Sequence, residues 1–201
     1  MNKKIGIMGG TFDPIHYGHL STAETVRIKF DLDYILFVPT GNPPHKMRKI
    51  TKKYHRYNMT ILATISNDNF RVSTIELERD GYSYTVDTLK SIKQIHKDDE
   101  LYFITGADAF CDMKDWYRAD ELFSLANFIG ATRPGIDTTK FEEALKYIKD
   151  NYNKDVLTIH VPSLDISSTG IRKNVLEKKS VKYLIPENVE RYIIKHNLYN
   201  S

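Results

Sequence analysis

The chain of 201 residues carries 29 Lys and Arg against 26 Asp and Glu, a formal net charge of +3, and 41% of its residues are hydrophobic. These values suit one globular domain with a substantial core. They exclude a disulfide scaffold, because Cys111 is the only cysteine, and no apolar run reaches membrane-spanning length. The modest charge and the lack of a visible signal peptide lead us to expect a cytoplasmic protein that binds neither nucleic acid nor membrane.

The first distinctive stretch is Gly9 to His19, which reads Gly-Gly-Thr-Phe-Asp-Pro-Ile-His-Tyr-Gly-His. It follows the apolar run Ile5 to Met8, typical of a buried parallel strand, and a helical pattern begins at Tyr17. A strand, a glycine turn and a helix start together gather unpaired N–H groups, which attract phosphate. His16 and His19 can share one face and offer ring N–H groups. An isolated His-x-x-His is more often a surface pair, but this context favours a phosphate site.

The next segments continue the alternation of strand and helix. Tyr34 to Val38 predicts a second buried strand, which leads into a proline-rich loop ending at His45 and Lys46. Two cations after a strand end suit a ligand, and a solvated basic loop is an equal alternative. Lys52 to Ser66 predicts an amphipathic helix, in which a solvated side chain is the simpler interpretation of Arg56. The apolar stripe of this helix would be Tyr54, Tyr57, Ile61, Leu62 and Ile65.

A second possible anion site lies at the start of the following helix. Phe70 to Ile75 predicts a strand, and Ser83 to Leu89 opens a helix after a turn at Asp80 and Gly81. Hydroxyls and free N–H groups at such a start can bind a carboxylate, although helix capping alone is the more common role.

Leu101 to Gly106 repeats the first design, an apolar strand that ends at a glycine before a helix. Asp108 can accept hydrogen bonds from ribose hydroxyls or an adenine amino group, or it can simply cap the helix. Trp116 stands among charged residues and looks partly exposed. An exposed indole can stack on a heteroaromatic ring, although tryptophan is more often a core residue.

The remaining strands complete an α/β pattern. Asn127 to Thr132 predicts a strand that ends before Arg133, Phe141 to Ile148 predicts a helix, and Val156 to Val161 predicts the last strand. We expect His160 in that strand to pack against the sheet. The alternation of strands and helices predicts a doubly wound, mainly parallel sheet.

Near the C-terminus, Ile166 to Arg172 clusters three hydroxyls and an arginine at a helix start. Such groups are good partners for triphosphate oxygens, although a capped helix with a surface arginine would show much of the same pattern. Pro186 starts a final packing helix, with Val189, Tyr192 and Ile193 pointing inward. We expect a single domain over residues 1–201, with a helical part from about 167 to 201 packed on it. Converging strand ends and helix starts would then form one electropositive cleft.

These strings together resemble the bacterial nicotinate mononucleotide adenylyltransferases of the nucleotidyltransferase superfamily, nearly from end to end. The matching strings are Gly9 to His19, Pro43 to Lys46, Ser83 to Leu89, Gly106 to Phe110 with Trp116, Arg133 to Gly135, Ile166 to Arg172 and Leu184 to Ile193. One departure is Gly170, where relatives often carry an acidic residue. The resemblance implies a Rossmann-like α/β fold with a C-terminal helical extension.

The same resemblance implies a reaction in NAD biosynthesis, in which ATP and nicotinate mononucleotide give deamido-NAD and pyrophosphate. The implied catalytic residues are His16, His19 and Arg172. The implied ATP-binding residues are Gly9, Gly10, Thr11, Phe12, Gly106, Asp108, Ser168 and Thr169. The implied residues for the acceptor are His45, Lys46, Tyr84, Thr85, Trp116 and Arg133. ATP would be a co-substrate with Mg²⁺, which no residue of the chain is expected to ligate, because triphosphate oxygens and water hold it.

The expected chemistry needs no catalytic base, since the second pKa of the acceptor phosphate is about 6 and that phosphate is largely ionised near neutral pH. The partners would be small nucleotides, and the protein would be a monomer or a homo-oligomer. Rival interpretations are an adenylyltransferase for nicotinamide mononucleotide or phosphopantetheine, and a non-catalytic ATP sensor. Trp116 and Ser83 to Leu89 favour the nicotinate substrate, and the intact His16, His19 and Arg172 disfavour the sensor.

Overall fold

The computed structural model describes residues 2–44, 50–133, 135, 138–162 and 164–200. Within them, strands and helices alternate in the order β1 Lys4–Gly10, α1 Tyr17–Lys29, β2 Tyr34–Pro39, α2 Lys53–Thr64, β3 Phe70–Val72, α3 Thr85–Ile95, β4 Glu100–Gly106, α4 Ala107–Cys111, a 3-10 turn Met113–Asp115, α5 Ala119–Leu125, β5 Asn127–Thr132, α6 Thr138–Tyr152, β6 Val156–His160, α7 Ser168–Leu176 and α8 Glu187–Lys195. None of the helices described is long and apolar enough to span a bilayer.

The described strands form one sheet in the order β3-β2-β1-β4-β5-β6. Strand β1 pairs in parallel with β4, with Met8 opposite Ile104, and β4 pairs in parallel with β5. This is the doubly wound Rossmann order, which reverses direction between β1 and β4. The predicted fold class is confirmed, and Gly9 and Gly106 lie at the carboxyl ends of these two paired strands.

The chain divides into two compact units. The first comprises Met1–Gly9, Thr22–Ile35 and Tyr84–Ser163, and the second comprises Gly10–Ser21, Leu36–Ser83 and Leu164–Ser201. A single domain over residues 1–201, with its helical part from about 167, stays a prediction.

In the first unit, the central strands bury their apolar side chains, as a parallel sheet with helices on both faces requires. Ile5, Ile7 and Phe128 are fully buried. Strand β6 is an edge strand, and its His160 is exposed. The expectation that His160 packs against the sheet is therefore wrong. Helix α5 was not predicted, and it starts after Arg118, whose φ of 56° is left-handed.

In the second unit, helix α8 packs against α2. Val189 and Ile193 are buried as expected, whereas Tyr192 is only half-buried. The buried face of α2 differs from the predicted stripe, because Tyr54 is 63% exposed and Ile65 is 70% exposed. The residues that α2 buries are Arg56, Met59, Thr60, Ala63 and Thr64.

Candidate active site

The loop that links β1 to α1 is held by side chains from the start of α7. Arg172 donates from Nη1 to the backbone oxygen of Asp13 at 2.7 Å, and Ser168 donates from Oγ to the oxygen of Pro14 at 2.8 Å. Arg172 also donates from Nη2 to Oγ1 of Thr169 at 3.0 Å. The structure thus brings the predicted triphosphate residues Ser168, Thr169 and Arg172 together with the predicted phosphate loop.

The capping residue of α7 is Ser167, whose Oγ accepts a hydrogen bond from the backbone N–H of Gly170 at 3.1 Å. The next two hydroxyls have other partners: Ser168 donates to the oxygen of Pro14, and Thr169 accepts from Arg172. Arg172 is half-buried, so a capped helix with a simple surface arginine does not describe this segment. The first turn of α7 contains no acidic residue, which suits an anion at its N-terminus.

Arg56 is a residue whose role the sequence did not reveal, and the expectation that it is solvated is wrong. Its side chain is 1% exposed. The guanidinium donates to the backbone oxygens of Thr51 at 2.9 Å, Thr11 at 2.7 Å and Gly41 at 3.0 Å. Hydrogen bonds to three carbonyls satisfy a cation that would otherwise be costly to bury. Arg56 therefore ties the phosphate loop at Thr11 to the loop after β2 at Gly41.

The two histidines of the loop stack on one another. The ring centroids of His16 and His19 lie 3.7 Å apart with an interplanar angle of 29°. The backbone N–H of His16 donates to Nδ1 of His19 at 3.3 Å. Phe12 packs against the His19 ring in an edge-on contact with centroids 5.1 Å apart. Because Nδ1 accepts this bond, the proton of a neutral His19 lies on Nε2, which is then a donor for a ligand.

Both imidazoles are uncharged near pH 7 in the ligand-free protein. Burial lowers the pKa of His16 to about 4. Burial also lowers the pKa of His19 well below its usual value, and the neighbouring His16 lowers it further. Nδ1 of His16 is buried without a hydrogen-bond partner among the residues described. A phosphate bound beside the rings would favour their charged forms and raise both pKa values.

Gly18, between the two histidines, is a second residue to which the sequence assigned no role. A Cβ atom at this position would lie 3.0 Å from Nδ1 and 3.1 Å from Cε1 of His16. Contacts this short are tight, so the His16 ring would have to move by a few tenths of an ångström to admit any larger residue, and glycine leaves the stacked pair undisturbed. The spacing His-x-Gly-His was visible in the sequence, but the reason for the glycine is visible only in three dimensions.

In the first unit, Asp108 and Arg133 form an ion pair with Nη2 and Oδ2 3.0 Å apart. Both side chains are at least half-exposed, so this pair contributes little to stability. The N-cap of α4 is Gly106, and Asp108 lies in the first turn. The alternative that Asp108 caps the helix is therefore wrong, and its carboxylate stands beside the carboxyl end of β4.

Helix α3 begins with the predicted carboxylate site. Thr85 is its first residue, and its N-cap is Tyr84, which makes no side-chain cap hydrogen bond. The ring of Tyr84 lies 4.4 Å from that of Tyr117. Trp116 is half-buried and contacts the Phe103 ring edge-on, with centroids 6.2 Å apart. Trp116 is thus neither a fully buried core residue nor a fully exposed one.

The predicted site residues also include two that follow β2 in the sequence and a glycine at the end of β1. His45 and Lys46 lie outside the described residues. Gly10 ends β1, and a Cβ there would lie 2.7 Å from the Phe12 ring. In the part of the chain that the structure describes, no three His, Cys, Asp or Glu side chains are grouped so that they could hold a metal ion.

Comparisons with known proteins agree over almost the whole chain. A family model described as cytidylyltransferase-like matches residues 7–174. A probable nicotinate-nucleotide adenylyltransferase of Thermoanaerobacter sp. (strain X514) is 57% identical over 200 residues, which cover 98% of this chain and 95% of the relative. A probable nicotinate-nucleotide adenylyltransferase of Desulfitobacterium hafniense (strain Y51) is 50% identical over 198 residues, covering 98% and 96%.

A solved structure has the same fold. It is the Plasmodium falciparum nicotinic acid mononucleotide adenylyltransferase complexed with NaAD, which has a TM-score of 0.79 and 28% identity, covering 99% of this chain and 98% of that one. The same Plasmodium falciparum enzyme complexed with APC has a TM-score of 0.77 and 27% identity over 99% and 98% of the two chains. Given the histidine loop, the doubly wound sheet and these similarities, the chain belongs to the cytidylyltransferase-like family and, within it, to the nicotinate-nucleotide adenylyltransferases.

Proposed function

We propose that this protein transfers the adenylyl group of ATP to nicotinate mononucleotide, giving deamido-NAD and pyrophosphate in NAD biosynthesis. The observation that carries the proposal is the stacked histidine pair, held in a loop that Arg172 and Ser168 bind through its backbone oxygens. The names of the relatives at 57% and 50% identity support the same reaction.

The reaction requires alignment and charge stabilisation rather than proton abstraction. The acceptor phosphate attacks as an anion, since its second pKa is about 6. The main task is to hold its oxygen in line with the α-phosphorus while charge moves to the departing pyrophosphate. In our proposal, Nε2–H of His19 donates to the α-phosphate, and His16 lies beside it on the same phosphate chain. A neutral donor that is already oriented stabilises the developing charge without reorganising.

In our proposal, Arg172 and the start of α7 bind the β- and γ-phosphates. Backbone N–H groups at a helix start and the guanidinium of Arg172 are the donors that phosphate oxygens prefer. The backbone at Gly9, Gly10 and Thr11, next to Phe12, would approach the same phosphates. Ser168 and Thr169 contribute by fixing the loop and the guanidinium.

The donor set suits a triphosphate that carries its own Mg²⁺. The loop offers imidazole, guanidinium and N–H groups, which bind anions, and these do not compete for a hard cation that prefers phosphate oxygens and water. When bound to ATP, Mg²⁺ would neutralise charge on the triphosphate. The residues of this chain would then orient the phosphates from the other side.

The nucleoside and the acceptor complete the assignment. We assign adenosine to Gly106 and Asp108, and the acceptor to His45, Lys46, Tyr84, Thr85, Trp116 and Arg133. A nicotinate carboxylate suits the N–H groups at the start of α3 better than a carboxamide does, because the helix dipole favours a negative charge there. The exposed ion pair between Asp108 and Arg133 is weak enough to yield both groups to ligands. The protein would work in the cytoplasm as a monomer or homo-oligomer, with nucleotides rather than nucleic acid or membrane as partners.

The test is a substrate comparison. Purified protein is incubated with ATP, Mg²⁺ and one acceptor at a time: nicotinate mononucleotide, nicotinamide mononucleotide or phosphopantetheine. Pyrophosphate release and chromatography of the product give the rates. We expect nicotinate mononucleotide to be used about fivefold or more faster than its amide, from the dipole contribution of about 1 kcal/mol. Product from phosphopantetheine alone would reject the acceptor, and ATP binding without product would favour a sensor.

A further inference from the structure

A tyrosine that follows the last helix contacts the loop between β1 and α1. The hydroxyl of Tyr199 donates to Oδ1 of Asp13 at 2.9 Å. Asp13 is 1% exposed, so its carboxylate is removed from water and depends on partners inside the protein. Arg172 binds the backbone oxygen of the same residue at 2.7 Å. Asp13 is therefore held by its main chain from α7 and by its side chain from the segment after α8.

The surroundings of Tyr199 keep its hydroxyl protonated. Burial, and then the negative charge of Asp13, raise the pKa of Tyr199 above its usual value. The hydroxyl also bonds the Thr51 side chain and lies 4.0 Å from Sδ of Met59. Tyr199 is thus protonated near neutral pH and can donate to Asp13.

The backbone at Tyr199 adds a second observation. Its φ is 66°, in the left-handed region that favours glycine and is unfavourable for a bulky residue such as tyrosine. The backbone turns inward here after the α8 C-terminus, where Leu198 donates to the oxygen of Ile193 at 3.0 Å. A tyrosine held in this conformation, with its hydroxyl on a buried carboxylate, contacts a loop 186 positions away in the chain.

We propose that Tyr199 is a positioning residue for adenylyl transfer, which fixes the histidine pair through Asp13. This inference rests on the proposed function. Asp13 precedes His16 by only three positions, and the intervening Pro14 is held by Ser168 at 2.8 Å. Movement of Asp13 would therefore shift the imidazole donors, and misplaced donors reduce turnover more than they reduce binding of a substrate with many other contacts.

The test separates the hydroxyl from the ring. Tyr199→Phe keeps the aromatic packing and removes the donor to Asp13. We expect kcat to fall about tenfold, while KM for ATP and for nicotinate mononucleotide each stay within about twofold. The matched control is Tyr183→Phe, because Tyr183 has a similar φ of 65° but is 82% exposed. Its kcat and KM should equal those of the wild type.

A double-mutant cycle tests the route through Asp13. If the hydroxyl acts through that carboxylate, Tyr199→Phe combined with Asp13→Asn should lower kcat no further than the more damaging single change. Losses that multiply, or an unchanged kcat in Tyr199→Phe, overturn the positioning role. A wild-type enzyme that forms no dinucleotide at all would instead reject the proposed function.

Hydrogen exchange of the wild-type protein decides the matter if Tyr199→Phe does not fold. The amide of Leu198 donates to Ile193 and reports opening of the tail, and the amide of His19 donates to the oxygen of His16 at 3.0 Å and reports opening of the loop. We expect the two amides to exchange with the same opening free energy. A tail that opens more easily while the His19 amide stays protected would overturn the proposal.

Discussion

The proton of His19 is placed by a backbone group of its own loop. The N–H of His16 donates to Nδ1 of His19, and burial keeps both rings neutral, so Nε2 of His19 carries the proton. The same stacking that orients the pair makes it hard to charge both rings together. A bound phosphate changes this balance, because an anion within a few ångströms stabilises imidazolium. Neutral, oriented donors of this kind suit the phosphate that we propose for this site.

Removing the proposed donor to the α-phosphate tests its role directly. We expect His19→Ala to lower kcat by about a hundredfold or more, as the loss of one transition-state donor does in other enzymes. Pyrophosphate release at saturating substrates measures the effect. The control is His160→Ala, at an exposed position at the end of β6. Near-normal turnover in His19→Ala would remove this residue from the mechanism.

The buried His16 makes stability depend on pH. Its pKa is about 4 in the folded protein and 6.5 when exposed. The unfolded chain therefore binds more protons between these values, and the free energy of unfolding falls as the pH drops from about 6.5 towards 4. From this shift we expect a loss of about 2 to 3 kcal/mol between pH 7 and pH 4.5.

Urea unfolding of His16→Gln at the two pH values checks this expectation. The variant should lose less stability on acidification than the wild type, by that amount. His160→Gln is the control, because this histidine is exposed at the end of β6 and is not part of the stacked pair. A His16→Gln protein that is as acid-sensitive as the wild type would contradict the assignment.

At the scale of elements, helix α2 connects two loops that the sequence treats as independent. The helix buries Arg56 and Met59. The guanidinium of Arg56 binds the carbonyl of Thr51, just before the helix, and the carbonyls of Thr11 and Gly41 in two other loops. The loop after β2 packs closely against the backbone at Glu76, since a Cβ on Gly41 would lie 2.1 Å from the backbone oxygen of that residue. The phosphate loop is therefore braced by α2 through a single guanidinium.

Replacing that guanidinium should destabilise the protein strongly. Arg56→Met keeps most of the side-chain volume but leaves three partly buried carbonyl oxygens without this donor, so we expect a loss of about 3 kcal/mol or more in the free energy of unfolding. Urea denaturation at pH 7 measures it. Arg191→Met is the control, because Arg191 and its partner Glu187 are both exposed, and water screens an ion pair of this kind. A loss below 1 kcal/mol in Arg56→Met would show that the carbonyls find other partners.

At the scale of the whole molecule, the doubly wound sheet and a weakly positive chain together suit an anionic nucleotide. Strand order reverses between β1 and β4, and the glycines at the carboxyl ends of these strands would let a ligand approach the main chain. The net charge of +3 attracts small anions without the basic excess of nucleic-acid-binding domains. Binding energy from such a ligand adds to the stability of the folded state.

Ligand binding should therefore raise the melting temperature by a measurable amount. ATP with Mg²⁺ at a hundred times its Kd should raise the free energy of unfolding by about 2.7 kcal/mol, which is about 5 to 10 °C in Tm for a chain of this size. Arg172→Gln should shrink this shift at the same ATP concentration, since a triphosphate partner is lost. Thermal unfolding with and without ATP measures it, and Arg191→Gln should behave as the wild type. An equal shift in Arg172→Gln would separate this arginine from the triphosphate.

Much of the fold was predictable, because the order of strands and helices depends on local signals. Apolar runs that end at glycine mark β1 and β4, and the positions of α3, α6 and α8 follow from turn residues and periodicity. The buried face of α2 was not predictable in this way. The predicted stripe has the right spacing, but its end members Tyr54 and Ile65 are exposed, whereas a charged arginine occupies the core side. A short helix such as α5 also has too few residues to show a period.

The sequence alone determined the class of fold, the position of the glycine and histidine loop and the likeness to one enzyme family, since these depend on residue types at fixed short spacings. Only the tertiary structure decided which side chains hold that loop. Arg56 reaches Thr11 across 45 positions, and Tyr199 reaches Asp13 across 186. Periodicity and propensity act over a few residues, whereas hydrogen-bond partners this far apart are chosen by the folded chain, which buries polar groups only where others can satisfy them.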